Sequence, residues 1–362
     1  MDYSEITHRL KTEKRFRPPP GWRWGSFVNA DGARLRYGWA LPESTIGVAV
    51  LLPGFCEFGE KYFEAIHDLL SRNLAVWQLD WRGQGGSERY FPGSQRPYAA
   101  GYERDVADLH RFVENFVACP PETPLILFGH SMGAHIGLRY LHDHPGTFRC
   151  AVLAAPMLEL RTRPLPGWLA AGIARAAVLA GIGDRYVPGW GDWDPKTAEQ
   201  PKGMSSDPLR DSVQGFWLLE HPELRLGGTT YRWLDEAFRS IALLKAEDYL
   251  RSIRTPVLMG SPKIEILVEP EAQLRAALLL PDCTLIEFPD SRHELWMERD
   301  EHRRRWLQAI DAFLAQQIRL PQIRLADGRQ APGQADSGLP DASHLESARN
   351  SEPVRDTSVP AR

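Results

Sequence analysis

A chain of 362 residues, 43% hydrophobic and 25% charged, carries ample apolar material for a packed core, which excludes a disordered polymer and a disulfide-stapled miniprotein. Its 43 basic and 47 acidic residues leave a formal net charge of −4, so no basic excess points to nucleic acid as the partner. The four cysteines, Cys56, Cys119, Cys150 and Cys283, form no CxxC pair, which argues against a zinc site or a thioredoxin-type motif.

The first residues, Met1 to Arg9, contain no apolar signal region, and residues 1–30 are expected as an N-terminal arm. Apolar runs at Ile46–Leu52, Leu74–Leu79, Pro124–Phe128, Cys150–Ala154, Pro256–Met259 and Cys283–Phe288 predict buried strands. Most are hydrophobic without alternation, as in strands covered by helices on both faces. Helical patterns at Tyr62–Arg72, Tyr98–Ala118 and Glu269–Leu280 fall between them. This alternation predicts an α/β fold with a doubly wound, mostly parallel sheet. Its core is assigned to residues 31–158 and 251–318.

Between the two core segments, residues 159–250 offer no strand candidates, only helical stretches and loops rich in tryptophan and tyrosine. They are expected as a helical cap inserted between two strands. The apolar stretch from Leu165 to Gly183 is interrupted by Pro166 and Arg175 and falls short of a membrane-spanning helix, so a cytoplasmic protein is expected. After Phe313 no aromatic residue occurs, and residues 326–362 are dominated by Ala, Asp, Ser, Gly, Pro and Arg. Residues 319–362 are accordingly expected as a disordered tail.

Gly129-His130-Ser131-Met132-Gly133 is a GxSxG pattern between a predicted strand and a helical run, Ala134–His142. A nucleophile elbow needs that context: glycines let the backbone turn sharply and expose the serine oxygen above the sheet. A serine hydroxyl needs a base. His293 follows the last predicted strand, where an α/β sheet assembles its site. The third member is a carboxylate that holds the imidazole. Glu265, just beyond the strand Pro256–Met259, has the required order Ser, acid, His, and Glu269 is its competitor. Asp282 precedes a strand and Asp290 lies too near His293. His130 is expected to pack the elbow.

With these residues in place, the chain resembles the α/β-hydrolase superfamily, specifically its monoacylglycerol lipase and bacterial lysophospholipase branch, with a serine aminopeptidase S33-like domain. The pieces that carry the resemblance are Pro53-Gly-Phe-Cys-Glu57-Phe-Gly-Glu-Lys61-Tyr62, Asp80-Trp-Arg-Gly-Gln-Gly-Gly-Ser87, Gly129–Gly133, Ala155-Pro-Met157 and His293-Glu-Leu-Trp-Met-Glu298. It runs from about Leu35 to Ala315. Two departures stand out: Pro53 replaces the usual histidine, so a repacked loop is expected, and Glu265 replaces the usual aspartate.

The resemblance implies a serine hydrolase cleaving the ester of a monoacyl lipid, a lysophospholipid or monoacylglycerol, through an acyl-enzyme and without metal or organic cofactor. It implies an oxyanion hole from the backbone N–H groups of Phe55 and Met132, and head-group contacts from Glu57 and Lys61, whose alternative is a solvated loop. The glycine-rich turn after Asp80 is implied to be structural, since it lacks nucleotide-loop spacing. The apolar segment Trp168–Leu179 suits an acyl pocket or peripheral membrane contact through the cap. The alternatives are a small-ester carboxylesterase or superfamily aminopeptidase, and a non-catalytic hydrolase-fold binding protein.

Overall fold

The computed structural model describes residues 2–200 and 202–318; the expected tail lies outside them. Eight strands form one sheet: β1 (Arg23–Val28), β2 (Arg34–Ala40), β3 (Gly47–Leu52), β4 (Leu74–Leu79), β5 (Leu125–His130), β6 (Cys150–Ala154), β7 (Val257–Ile264) and β8 (Cys283–Arg292). Their order is β1-β2-β4-β3-β5-β6-β7-β8, with β2 antiparallel to both of its neighbours, β1 and β4, and all later neighbours parallel.

Every residue of β3 to β6 is buried. Val48, Val50, Leu52, Leu127 and Leu153 feed one core, while Ala49, Leu51, Ile126, Phe128 and Val152 feed the other. Successive side chains point to opposite faces, so burying both faces demands an unbroken apolar run. Helices α1 (Tyr3–Thr12) and α2 (Phe63–Ser71) join the second core; α3 (Tyr102–Asn115) and α4 (Met132–Asp143) cover the first.

The chain between β6 and β7 carries the helices α5 (Gly167–Leu179), α6 (Pro208–Asp211), α7 (Val213–Glu220), α8 (Tyr231–Leu244) and α9 (Glu247–Ser252). Only isolated bridges, Leu160 with Val268 and Tyr186 with Thr230, interrupt its helix-and-loop character among the described residues. Helix α10 (Pro270–Leu279) and the terminal α11 (Asp300–Gln317) then return to the two faces of the sheet.

Residues 1–30 depart from the expected arm. β1 pairs with β2 over six positions, and Ile6, Leu10 and Phe16 enter the core. β1, at the sheet edge, and β2 beside it show no continuous apolar run, because exposed, half-buried and buried positions mix along each strand. β8 likewise runs past Pro289 to Arg292, as an edge strand tolerates proline.

The elbow follows β5. Ser131 has φ 50° and ψ −113°, a backbone conformation that L-residues rarely adopt. It is held on both sides: its N–H donates to the Ala154 carbonyl (3.0 Å), and its carbonyl accepts from His135 (3.0 Å) and Met157 (3.1 Å). A Cβ on Gly129 would lie 2.7 Å from Ala134 Cα, and one on Gly133 2.3 Å from the Leu52 carbonyl oxygen. Helix α4 can start this close to β3 only because both positions lack a side chain.

Gly133→Ala therefore destabilises the protein by about 1–3 kcal/mol. Gly172→Ala, within α5 where no atom lies near the added Cβ, stabilises it by about 0.5–1 kcal/mol. Chemical denaturation of the two variants checks the contrast; equal effects would contradict the packing of α4 on β3.

Candidate active site

Ser131 and His293 open on one cavity of 470 Å³ between the sheet's carboxyl ends and the insertion. Its apolar walls include Phe55, Trp190, Trp193, Leu218 and Leu226. None of the lining residues comes from α5, so the segment expected to line an acyl pocket does not do so. That helix packs its small residues Ala170, Ala174 and Ala177 inward instead, leaving Trp168 and Leu179 77% and 73% exposed.

Of the two carboxylates weighed, Glu265 directly follows β7, and its Oε1 accepts from His293 Nδ1 at 2.7 Å. Glu269 is turned elsewhere, with its carboxylate 3.9 Å from Arg161. Asp290 lies within β8. The Glu265 loop is stitched to the first residues of the insertion. Arg161 N–H donates to the Leu267 carbonyl (2.9 Å), Glu269 N–H donates to that of Glu159 (3.0 Å), and the Arg161 guanidinium donates to the Glu265 carbonyl.

Burial by itself lowers the pKa of His293, but the Glu265 charge and hydrogen bond, helped by Glu294 and Glu57, hold it above the ordinary histidine value. The neighbouring His130 ring, 4.9 Å away centroid to centroid, is driven down to about 3 by burial and stays neutral near pH 7. Neither of its ring nitrogens has a hydrogen-bond partner among the described residues. It packs the elbow and lines the cavity.

Phe55 and Met132 flank the serine. Met132 is the first residue of α4, so its N–H has no partner within the helix and points with the positive end of the helix dipole. Phe55 is fixed by the Trp233 ring of α8, stacked at 3.8 Å. The loop around it is pinned by Gln84, which donates to the Gly54 (2.7 Å) and Glu57 (3.1 Å) carbonyls and accepts from Cys56 N–H (3.1 Å). Trp81 Nε1 donates to the Pro53 carbonyl (2.7 Å). Asp80 accepts from Gly59 (3.0 Å) and Gly86 (2.8 Å) N–H groups. The glycine-rich turn thus braces the loop that carries Phe55.

Glu57 and Lys61 are buried, which removes the solvated-loop alternative. Lys61 Nζ donates to Glu57 (2.7 Å), Glu294 (2.6 Å) and Gln214 (3.0 Å), using all three of its hydrogens. Glu57 lines the cavity, but Lys61 is not among the lining residues, so the expected head-group contact of Lys61 does not fit its placement. Burial opposes ionisation of Glu57, yet Lys61 holds its carboxyl below the usual range. Burial pushes the Glu294 carboxyl up despite the same lysine.

Glu294, Gln214 and Glu298 were not singled out in the sequence. Glu298 accepts from the Arg292 (2.8 Å) and Arg299 (2.9 Å) N–H groups and from Ser206 Oγ (2.5 Å), fixing the His293 loop to the insertion. The two glutamates lie in the segment His293–Glu298, whereas Gln214 lies in the insertion with no motif around it, and only the fold says which partners the three meet.

Solved structures share this architecture. A soluble variant of monoglyceride lipase from Saccharomyces cerevisiae, in complex with a substrate analog, aligns over 82% of this chain and 95% of its own, with 21% identity and a TM-score of 0.66. A thermostable carboxyl esterase from Bacillus coagulans aligns over 82% and 99%, with 20% identity and a TM-score of 0.65. The fold is that of the α/β hydrolases. Within them, the chain belongs to the serine aminopeptidase S33 family, whose profile matches residues 43–300. By sequence it is 28% identical over 282 residues to lysophospholipase L2 of Escherichia coli, 74% of this chain and 79% of that one. A probable lysophospholipase L2 of Haemophilus influenzae is 26% identical over 275 residues, covering 75% and 85%.

Lys61→Met leaves two buried carboxylates without their cation and costs about 3–5 kcal/mol at neutral pH. The deficit shrinks as pH falls from 8 to 5, because the uncompensated carboxylates of the variant take up a proton, whereas Glu57 of the wild type, held at about 2 by Lys61, stays ionised throughout that range. Denaturant titrations at pH 5 and pH 8 check both the size and the direction.

Proposed function

We propose that the protein is a serine hydrolase that cleaves the carboxylic ester of a monoacyl lipid, a lysophospholipid or monoacylglycerol, through an acyl-enzyme. The 2.7 Å contact between His293 Nδ1 and Glu265, with Ser131 at the elbow on the same cavity, carries this reading. The lysophospholipase relatives support the substrate class. Ser131 Oγ attacks the ester carbonyl as His293 Nε2 takes its proton. Glu265 stabilises the imidazolium, and the N–H groups of Phe55 and Met132 hold the oxyanion, each such donor being worth on the order of 10²–10³ in turnover. His293 returns the proton to the leaving glycerol oxygen. Water, deprotonated by His293, then releases the fatty acid and regenerates Ser131.

The substrate reaches such an enzyme at a lipid surface, and α5 suits that contact. With its alanines turned inward, it offers Trp168, Ile173 and Leu179 to the outside. Among the described residues no helix is long and apolar enough to cross a membrane, so contact would be peripheral. The four cysteines are unpaired, which agrees with a cytoplasmic location.

Ser131→Ala should abolish labelling by a fluorophosphonate probe and lower ester turnover on the order of 10⁴–10⁶-fold. Retained labelling would place the nucleophile elsewhere, whereas a wild type that neither labels nor hydrolyses esters would be a non-catalytic binding protein. The acidic limb of the wild-type kcat/KM profile should have its midpoint above the ordinary histidine value of about 6.5. Glu265→Gln should move that midpoint down, because burial then dominates, and reduce turnover on the order of 10³–10⁴-fold. A silent Glu265→Gln would overturn the assignment.

Replacing Trp168 and Leu179 together by serine should weaken co-sedimentation with phosphatidylethanolamine–phosphatidylglycerol vesicles by about tenfold or more. Undiminished sedimentation would exclude α5 as the membrane-facing element.

A further inference from the structure

One cation of the cavity wall has no counter-charge. Lys202 lines the same cavity as Ser131 and His293. Its ammonium donates one hydrogen bond, to the Thr197 carbonyl at 2.8 Å, and among the described residues no carboxylate lies within ion-pairing distance of it. Lys61, by contrast, has its three hydrogens committed to protein acceptors.

Lys202 stays uncompensated because the nearby acid is engaged by backbone. The Asp211 carboxylate accepts from four successive N–H groups, Lys202 (2.6 Å), Gly203 (3.1 Å), Met204 (3.0 Å) and Ser205 (3.0 Å). The other acids on this side of the cavity are also held: Asp192 accepts from Tyr186 Oη at 2.5 Å, and Asp194 caps Lys196 N–H at 3.0 Å. Desolvation pushes the Lys202 pKa down, with Asp211 only partly opposing it, as expected for a half-buried cation lacking a partner.

The lysine is also fixed beside the proposed chemistry. Glu294 N–H, next in sequence to His293, donates to the Met204 carbonyl at 3.0 Å, and Ser205 Oγ donates to the Met297 carbonyl at 2.5 Å. Asp211 and these two bonds hold the Lys202–Ser205 segment against the histidine loop. This pinned backbone carries a side chain that lines the cavity and whose ammonium has two N–H donors uncommitted.

A monoacylglycerol presents only hydroxyl groups and leaves this charge unanswered. A lysophospholipid bears a phosphodiester anion on the glycerol whose acyl ester is cleaved. Lysine is a strong point-charge partner for such an anion, and a partly desolvated site strengthens the attraction. We propose that Lys202 binds the phosphodiester of the substrate head group and biases the enzyme towards lysophospholipids over neutral monoacyl glycerides. This assignment rests on the ester-hydrolase reading above and deepens it.

The test compares kcat/KM for a lysophosphatidylethanolamine and a monoacylglycerol of identical acyl chain, in the wild type, Lys202→Met and Lys202→Arg, with all three checked for equal thermal stability. The expected ratio of lysophospholipid to glyceride exceeds one in the wild type. It falls about tenfold to a hundredfold in Lys202→Met, chiefly through KM for the lysophospholipid, and recovers in large part in Lys202→Arg. Glycerophosphoethanolamine should inhibit the wild type more strongly than Lys202→Met, whereas inorganic phosphate inhibiting both alike would mark a non-specific anion effect. A ratio unchanged within about twofold, or a wild type that prefers the glyceride, overturns the assignment while leaving the ester-hydrolase reading intact. Failure of the wild type to hydrolyse either lipid overturns both.

Discussion

The start of α4 lies against the carbonyl groups at the end of β3, and this close approach governs the rest of the site. It needs a glycine at 133, where an added Cβ would meet the Leu52 oxygen at 2.3 Å, and it forces Ser131 into a left-handed turn. Such a conformation persists only where its surroundings over-determine it. Here the carbonyl of Ala154, at the end of β6, holds the serine N–H, and the N–H of Met157 just beyond holds its carbonyl. Three neighbouring strands thereby agree on one position for one hydroxyl. The same turn starts α4 directly after the serine, so the proposed nucleophile and the proposed oxyanion donor, the N–H of Met132, come from a single constraint.

Around that turn, ionisable groups are buried in matched sets. Lys61 joins Glu57 to Glu294, His293 meets Glu265, and His130 stays neutral between them. Leaving one partner of such a set unpaired is far costlier than the net gain from forming it, so the sets act chiefly as geometric locks. Lys61 ties the loop after β3 to the residue following His293. Glu298 ties the residue before His293 to the insertion. The histidine is therefore fixed from both sides in sequence, with carboxylates that also raise its affinity for a proton.

The insertion divides its work by side-chain size. α5 turns alanines inward and keeps its large apolar residues outside, while the cavity walls come mostly from loops between the insertion's helices. Loops tolerate the irregular placement of Trp190, Trp193 and Lys202 that a helix face would not allow. They need pinning, and Asp211 supplies it by gathering four backbone N–H groups on one carboxylate.

Local physical chemistry made a large part of this protein legible from its sequence. Strands buried on both faces must be continuously apolar, so β3 to β6 stood out, with two of them recovered end to end. A GxSxG between strand and helix allows few backbone geometries, and the topology places Glu265 and His293 just beyond the last two strands. The edge strand β1 and its neighbour β2 were hidden because a mixed exposed and buried pattern resembles an ordinary polar segment. Of the partners of Lys61, Glu57 lies four residues away but Glu294 lies 233, and no spacing rule reaches that far. Whether a lysine is neutralised, as Lys61 is, or left with open donors, as Lys202 is, depends on which carboxylates the folded chain brings near it and whether backbone amides have already taken them. Charge type is written in the sequence, but charge compensation is a property of three-dimensional neighbours, and only the tertiary structure decided it.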